Sequence, residues 1–299
     1  MRLIMNPGSR SGRGRRRWPR WLQQLGTAGV HTDLCVTTSP EHARMLAMNP
    51  SADTVVAVGG DGTINAVLDG LLQSERPQRP MGVLYAGTSP DFCRFHRIPT
   101  DPDAAVQALL AHRRRCVDVA RIAWVDAHGA PASGHFGCSA NIGLGAAIAR
   151  GANRLRRFLG DRCGTGLAAL SAVLRTPSLP LRMEIDGETH GTSQIHHLAI
   201  LKNPALASGL RLDVVLQPDD GILCVAAVAE LSPFGLLRLL PGFYTGSAVR
   251  HPALSQQVAH HIRVEGPPGT EVEFDGDPRG FLPVDIEILP RVLTLLGAA

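Results

Sequence analysis

The chain predicts an α/β fold in two parts, an N-terminal domain built on a parallel sheet and a C-terminal β-rich domain, an antiparallel sandwich. The order of its periodicities carries this prediction. Up to about Val117, short apolar runs alternate with helix-period patterns, the βαβα order of a parallel sheet. Beyond it, strand-like runs follow one another with few helices between them, as antiparallel strands do. Length agrees, since 299 residues correspond to about two domains and 44% hydrophobic residues can fill two cores.

In the first part the predicted strands are Leu3–Met5, Asp33–Val36, Thr54–Val58 and Gly82–Leu84, and the predicted helices are Arg16–Ala28, His42–Met48, Ile64–Leu72 and Ala104–Ala111. In the second part the strand-like runs are Val117–Trp124, His135–Ser139, Arg182–Ile185, Ile195–Leu201, Leu223–Val228, His261–Val264, Glu271–Phe274 and Val284–Ile288. Helical patterns interrupt them around Ala146–Leu159 and Gly166–Leu174. There is no internal repeat and no low-complexity linker.

The most informative segment is Val55-Val56-Ala57-Val58 followed by Gly59-Gly60-Asp61-Gly62-Thr63-Ile64-Asn65. A β-branched strand runs into three glycines around one aspartate, and an apolar-periodic helix with Val67, Leu68, Leu71 and Leu72 follows. Glycines admit an anion close to the backbone, the helix N-terminus points N–H groups at it, and Asp61 is the ionisable group at the strand tip. Alone, such a turn reads as an ordinary strand-to-helix connection. It is not alone. Asn6-Pro7-Gly8-Ser9-Arg10-Ser11-Gly12 follows the first strand, and Gly87-Thr88-Ser89-Pro90-Asp91-Phe92 follows the run Met81 to Ala86. Three such ends belong at the carboxyl edge of a parallel sheet, where open α/β sheets bind ligands.

Composition removes several function classes. No stretch approaches the roughly 18 uninterrupted apolar residues of a membrane span, and the N-terminus turns polar at Asn6, too early for a signal peptide. A cytoplasmic protein without a transmembrane segment is expected. Cys35, Cys93, Cys116, Cys138, Cys163 and Cys224 form no C-x-x-C pair and read as free thiols. His196-His197 and His260-His261 lie in strand-like stretches, where neighbours point to opposite faces, so neither pair chelates a metal. Lys202 is the only lysine and lies outside any G-x-x-x-x-G-K-[ST] string, which excludes a Walker P-loop. Phosphate charge must then be met by arginine, backbone N–H or metal. Arg2, Arg10, Arg13, Arg15, Arg16, Arg17 and Arg20 meet no acid in the first 25 residues, but no nucleic-acid-binding motif accompanies them. Trp18 and Trp21, interleaved with that run, suit either a lipid surface or packing of the first helix. The leucine-rich Leu231–Leu240 suits core packing or an interface in the same way.

NPGSRSG, GGDGTINAVLDGL and GTSPDFCRFHRIP, in this order and spacing, resemble the nucleotide-binding signature of the soluble diacylglycerol kinase catalytic-domain family, which includes bacterial lipid kinases and sphingosine kinases. Pro218-Asp219-Asp220-Gly221-Ile222-Leu223 resembles its DDGxL segment, and Phe274-Asp275-Gly276-Asp277-Pro278 its DGEP segment. GGDGT also occurs in NAD kinases and phosphofructokinases, so the specificity comes from the five blocks together.

The resemblance implies a nucleotide-binding domain over 1–117, rejoined by about 290–299, and a lipid-substrate domain over 118–289, with the cleft between them. It implies an ATP- and Mg²⁺-dependent lipid kinase acting on a hydroxyl of a lipid such as diacylglycerol, peripheral at the inner membrane surface; a homodimer stays open. By resemblance Asn6, Pro7, Gly8, Ser9 and Arg10 line the nucleotide with Gly59, Gly60, Asp61, Gly62, Thr63, Asn65, Gly87 and Thr88. Asp61 is either a metal-bound carboxylate or the base. A structural Mg²⁺ falls to Asp220 through its side chain and to Gln217 and Ile222 through their carbonyls, an oxygen-only set that suits this ion.

The family's proposed base is the glutamate of DGE, and here that position is Asp277, shorter by one CH₂, roughly 1.5 Å of reach. Ala66 replaces a usual glutamate, and Pro90 replaces a usual asparagine and removes an N–H. Lys202–Leu212 reads KNPALASGLRL where many relatives are glycine-rich. These departures motivate one alternative, a non-catalytic nucleotide or lipid sensor; GGDGT motivates another, a NAD-kinase-like enzyme.

Overall fold

The computed structural model describes residues 1–207 and 210–298, with the backbone alone at 153–163, 165, 206–207 and 249. Ser208 and Gly209, part of the KNPALASGLRL stretch, and the Cys163 thiol therefore lie outside the described residues and side chains. The chain forms two compact units, Met1–Val119 with Leu289–Ala299, and Ala120–Ile288.

In unit 1, β1 (Arg2–Met5) pairs in parallel with β2 (Asp33–Val36) and β3 (Val55–Gly59), and β3 pairs in parallel with β4 (Met81–Tyr85). The inner strands β1, β3 and β4 are buried along their length, and β2, at the edge, leaves Leu34 and Val36 exposed. The connections are α1 (Trp18–Thr27), α2 (Pro40–Met48) and α3 (Asp61–Leu72), and α4 (Asp91–Phe95) and α5 (Pro102–Leu110) follow β4. Three helices, α2, α3 and α5, begin earlier than periodicity predicts, and in α2 and α5 a side-chain cap lies ahead of the first apolar residue. Ser39 Oγ accepts from His42 N and Asp101 Oδ1 from Ala104 N, each with proline at the next position.

Trp21 is buried against Leu25, Val106 and Leu109, and its Nε1 donates to Pro102 O at 3.1 Å. Trp18 packs on the same cluster, so both tryptophans serve the core. α2 and α3 cross at Gly70, where a Cβ would stand 2.2 Å from Arg44 O.

β5 (Arg114–Val125) leaves unit 1, and unit 2 continues with β6 (Pro131–Phe136), β7 (Ser139–Gly143), α6 (Leu144–Arg175), β8 (Leu179–Ile185) and β9 (Glu188–Leu201). After β10 (Ala205–Ala207) and β11 (Leu210–Arg211) come β12 (Leu223–Ala229), α7 (Pro233–Thr245), β13 (Leu254–Ala259), β14 (His261–Glu265), β15 (Glu271–Phe274) and β16 (Asp277–Leu296).

The antiparallel sandwich expected here is instead closed. β9, β7, β15, β16, β14 and β8 pair in that order, and β8 returns to β9, every pairing antiparallel. Closure depends on two strands long enough to serve different neighbours. β9 pairs with β8 over 188–195 and with β7 over 197–201, and β16 pairs with β15 over 277–281 and with β14 over 284–287. A ring has no free edge to protect. Ile142, Leu198, Ile262, Val272, Phe274 and Ile286 belong to the main core of this unit. Leu236 and Leu239 of α7 are buried in a second cluster with Leu201 and Val228, so the leucine-rich segment packs the core and leaves Phe234 exposed. Among the described residues, no helix is long and apolar enough to cross a membrane.

Candidate functional site

The three polar strand ends of unit 1 meet through specific contacts. Asn6, just past β1, receives a hydrogen bond from Gly8 N on its Oδ1 at 2.9 Å and donates from Nδ2 to Thr63 Oγ1 at 2.8 Å. One side chain thus shapes its own turn and ties it to the first turn of α3. The Gly59–Gly62 turn in turn faces the loop after β4. Ala86 N donates to Gly59 O at 2.7 Å, and a Cβ on Gly87 would stand 2.6 Å from Gly60 Cα. A Cβ on Gly59 would stand 2.4 Å from Thr63 Oγ1. These glycines are therefore required by close approach. Arg10 and Ser11 take left-handed conformations, with φ of 52° and 54°, before Gly12. Ser9 O accepts from Gly12 N and Gly14 N, and Pro7 O from Arg15 Nε, which folds the loop tightly onto itself.

A cavity of about 300 Å³ opens beside these loops, lined by Arg10, Arg17, Tyr85, Gly87, Thr88, Pro90, Arg94 and Thr100. Three guanidinium groups and two threonine hydroxyls line it, a donor set of the kind that suits an anion, and Arg94 Nη1 also lies 3.5 Å from Asp91 Oδ1. Sequence reading named Arg10, Gly87 and Thr88 and missed Arg17, Tyr85, Arg94 and Thr100. Arg17 belonged to a basic run with nothing to distinguish its members; in the structure its Nη1 donates to Tyr85 O at 2.9 Å, which turns it toward β4.

Asp61 opens α3, and Asn65 and Ala66 are buried one turn further on. Burial, and next the charge of Asp61, hold the Tyr85 phenol and the Cys93 thiol above their ordinary values. Both therefore stay neutral beside the carboxylate. Pro90 caps α4, where Ser89 Oγ donates to Asp91 Oδ2 at 2.9 Å.

Asp277 belongs to unit 2, at the first position after a two-residue hairpin turn made by Asp275 and Gly276, with φ of 50° and 90°. It is half-buried, and its Oδ2 lies 3.8 Å from Arg279 Nη2, whose guanidinium sits over the Phe274 ring. Its neighbours are structural. Asp275 accepts from Gly137 N, Cys138 N and Ser139 N at 2.9 to 3.1 Å, although burial still raises its carboxyl above the usual range. Glu273 accepts from Asn141 Nδ2 at 2.6 Å and from Gly276 N, and burial pushes it up to about 8.

The metal assignment for Gln217, Asp220 and Ile222 requires correction. All three expected oxygens accept from Lys202 Nζ: Gln217 O at 2.8 Å, Asp220 Oδ1 at 2.5 Å and Ile222 O at 3.3 Å. A buried ammonium stands where the divalent cation was placed, so these residues do not fit Mg²⁺. Lys202 had been read only as evidence against a P-loop. His196 and His197 are neighbours on β9, where His196 Nδ1 accepts from Leu231 N and His197 Nδ1 from Gly145 N; His260, expected in a strand with His261, instead lies in the bend between β13 and β14. No group of three metal-ligating side chains occurs among the described residues.

Residues 1–122 match the diacylglycerol kinase catalytic domain, and residues 138–297 match the YegS C-terminal NAD kinase beta sandwich-like domain. The diacylglycerol kinase of Mycobacterium tuberculosis (strain H37Rv) is 29% identical over 256 residues, 85% of this chain and 80% of that one. That of Staphylococcus aureus (strain bovine RF122) is 25% identical over 299 aligned residues, 97% of this chain and 90% of that one. A crystal structure of a candidate diacylglycerol kinase from Bacillus anthracis superposes with a TM-score of 0.77 at 20% identity, covering 99% of this chain and 96% of that chain. Yeast NADH kinase complexed with NADH superposes with a TM-score of 0.59 at 12% identity, over 100% of this chain and 83% of that one. At such identities the two structures speak for the fold alone.

Proposed function

We propose an ATP-dependent lipid kinase, and the premise is membership: this chain belongs to the diacylglycerol kinase catalytic-domain family. The reaction moves the γ-phosphate of ATP to a hydroxyl of a lipid such as diacylglycerol. The hydroxyl oxygen attacks phosphorus, the bond to the β–γ bridging oxygen breaks, ADP leaves, and the hydroxyl proton passes to a carboxylate.

The observation that carries the nucleotide half is the cradle in unit 1, where Asn6 ties to Thr63 and Gly60 faces Gly87 so closely that a Cβ would fill the space. Backbone N–H groups and Thr63 and Thr88 hydroxyls then bond phosphate oxygens, while Arg10, Arg17 and Arg94 meet their charge. Asp61 at the start of α3 is the carboxylate that would hold a Mg²⁺ bound with the triphosphate, and that ion would neutralise charge developing on the transferred group. The proton goes to Asp277, which occupies the position of the family's base, or to Asp61. A lipid acceptor places the enzyme at a membrane surface as a peripheral protein.

The test is transfer of ³²P from ATP, with Mg²⁺, to vesicles containing diacylglycerol and to NAD in parallel. Label in the phosphorylated lipid is the expected result. Label in NADP instead rejects the lipid assignment, and ATP binding by calorimetry without label in either acceptor favours the sensor.

A further inference from the structure

We infer that the ammonium of Lys202 replaces the divalent cation in the Gln217–Ile222 loop, so that this loop of unit 2 folds without metal. Lysine occurs once in a chain that otherwise uses arginine for its basic residues, and that lysine is fully buried. A guanidinium is a broad planar fork, whereas an ammonium is a compact charge with three N–H donors pointing in different directions. The loop supplies three oxygens to match them, from Gln217, Asp220 and Ile222. Nζ lies 2.5 to 3.3 Å from them, the lengths of N–H···O hydrogen bonds, so the oxygens are turned toward the ammonium.

The partner and the stem are both fixed. Asp220 Oδ2 accepts from Gln217 N at 2.7 Å and Oδ1 from Ile222 N at 3.2 Å, so the carboxylate holds the turn that presents the carbonyls. Lys202 N donates to Cys138 O at 2.8 Å, and Asn203 N to the same oxygen, which anchors the backbone just past β9. A second cation at the centre of this oxygen set would lie within bonding distance of the ammonium and be repelled. The exchange costs one unit of positive charge relative to Mg²⁺ and leaves the Lys202–Asp220 pair neutral, which suits a buried site.

The test uses the purified full chain without nucleotide, so that Mg²⁺ bound with ATP does not contribute, and its readouts are metal content and melting temperature. Neither depends on whether the chain transfers phosphate. The wild type is expected to retain less than stoichiometric metal after dialysis and to melt at the same temperature in EDTA, Mg²⁺ or Ca²⁺. Lys202→Ala, which removes the charge and opens its volume, should melt several degrees lower and recover in part on addition of Mg²⁺ or Ca²⁺. Lys202→Ala combined with Asp220→Asn should show no such recovery. Stoichiometric Mg²⁺ in the wild type, or an EDTA-induced fall in its melting temperature that Asp220→Asn abolishes, would overturn the inference, and this arm needs no Lys202 variant to fold. A folded Lys202→Ala protein that no divalent cation stabilises would overturn it as well.

Discussion

Two regions of this molecule handle charge in opposite ways. At the ends of β1, β3 and β4 in unit 1, glycines, hydroxyls and three arginines surround a cavity of about 300 Å³; Arg94 pairs with Asp91 at 3.5 Å, and no carboxylate is among the residues that line the cavity. In unit 2 the chain answers its own buried ionisable groups. Lys202 faces two carbonyls and the Asp220 carboxylate, Asp275 receives three backbone N–H groups, and Glu273 receives Asn141 and Gly276. A strongly shifted carboxyl is often read as a sign of catalysis. Here the carboxyls that burial raises, Glu273 and Asp275, belong to the internally satisfied region, and the comparison assigns them to structure. The one-sided region is where chemistry is expected.

The largest expected effect tests that assignment directly. Asp61→Asn should lower phosphoryl transfer by about 10³-fold or more, the scale of losing a positioned charge at a reacting phosphate. Stability should fall by no more than about 1 kcal/mol, the worth of a carboxylate at a helix N-terminus. Transfer assays and thermal melts on one preparation decide it. Unchanged turnover with an unchanged melt would remove Asp61 from the site.

Asp277 comes next. It is half-buried and close to Arg279, whereas Glu273 and Asp275 are taken up by hydrogen bonds from Asn141, Gly276 and the 137–139 backbone, so it is the carboxylate of its hairpin best placed to work as a base. Asp277→Asn should reduce kcat by about 10²-fold with ATP affinity nearly unchanged, a loss at the low end for general-base catalysis. Full activity in that variant would leave Asp61 as the remaining candidate.

A third substitution probes the cradle without touching charge. Gly87→Ala places a methyl 2.6 Å from Gly60 Cα and 2.5 Å from Tyr85 Oη, and a backbone neighbour cannot swing away as a flexible side chain would. The two loops must separate. ATP affinity is expected to drop about tenfold, roughly 1.4 kcal/mol, by calorimetry, with the melting temperature little altered. Wild-type affinity would show that the facing glycines are not the phosphate site.

How much of this was legible in the sequence follows from where each interaction is made. The inner strands of unit 1 were legible because Leu3–Met5 and Val55–Val58 are continuously apolar, and the three loops because glycine, serine and threonine cluster at the ends of those runs. β13 and the first half of β9 were missed because Ser255-Gln256-Gln257 and Glu188–Gln194 are polar and mostly exposed; only pairing with neighbours makes them strands. The ring was not legible at all, since no local signal says that β9 and β16 each change partners midway. α6 runs unbroken from Leu144 to Arg175, joining the helical patterns around Ala146–Leu159 and Gly166–Leu174, which periodicity alone leaves as one helix or two. At the site, motif position located Asp220, Gln217 and Ile222 correctly as one cluster of oxygens. It could not show what stands at their centre, because Lys202 is 15 residues from the nearest of them.

The smallest effect concerns the satisfied region, and it is read as a slope. Burial first, opposed by the bonds from Gly276 N and Asn141, raises the Glu273 carboxyl from 4.5 to about 8 in the folded chain. Between those values the folded state holds a proton that the unfolded state has released, so the contribution of Glu273 is complete below pH 4.5 and is lost as pH rises toward 8. His197 works the other way. Burial lowers it from 6.5 to about 4, so its contribution is lost only as pH falls below 6.5. Above pH 6.5 the His197 contribution levels off, and the wild type should lose roughly 1.6 kcal/mol of stability by pH 8 through Glu273. Glu273→Gln keeps the shape and cannot ionise. Its amide nitrogen would meet one of the two donors, which the Asn141 amide accommodates by rotating its oxygen inward. Denaturant melts of both proteins at intervals across this range measure the difference, with the variant expected to be flatter. Equal slopes would mean that Glu273 is ionised throughout and that its two donors outweigh its burial, which would make the satisfied region more complete than the comparison supposes.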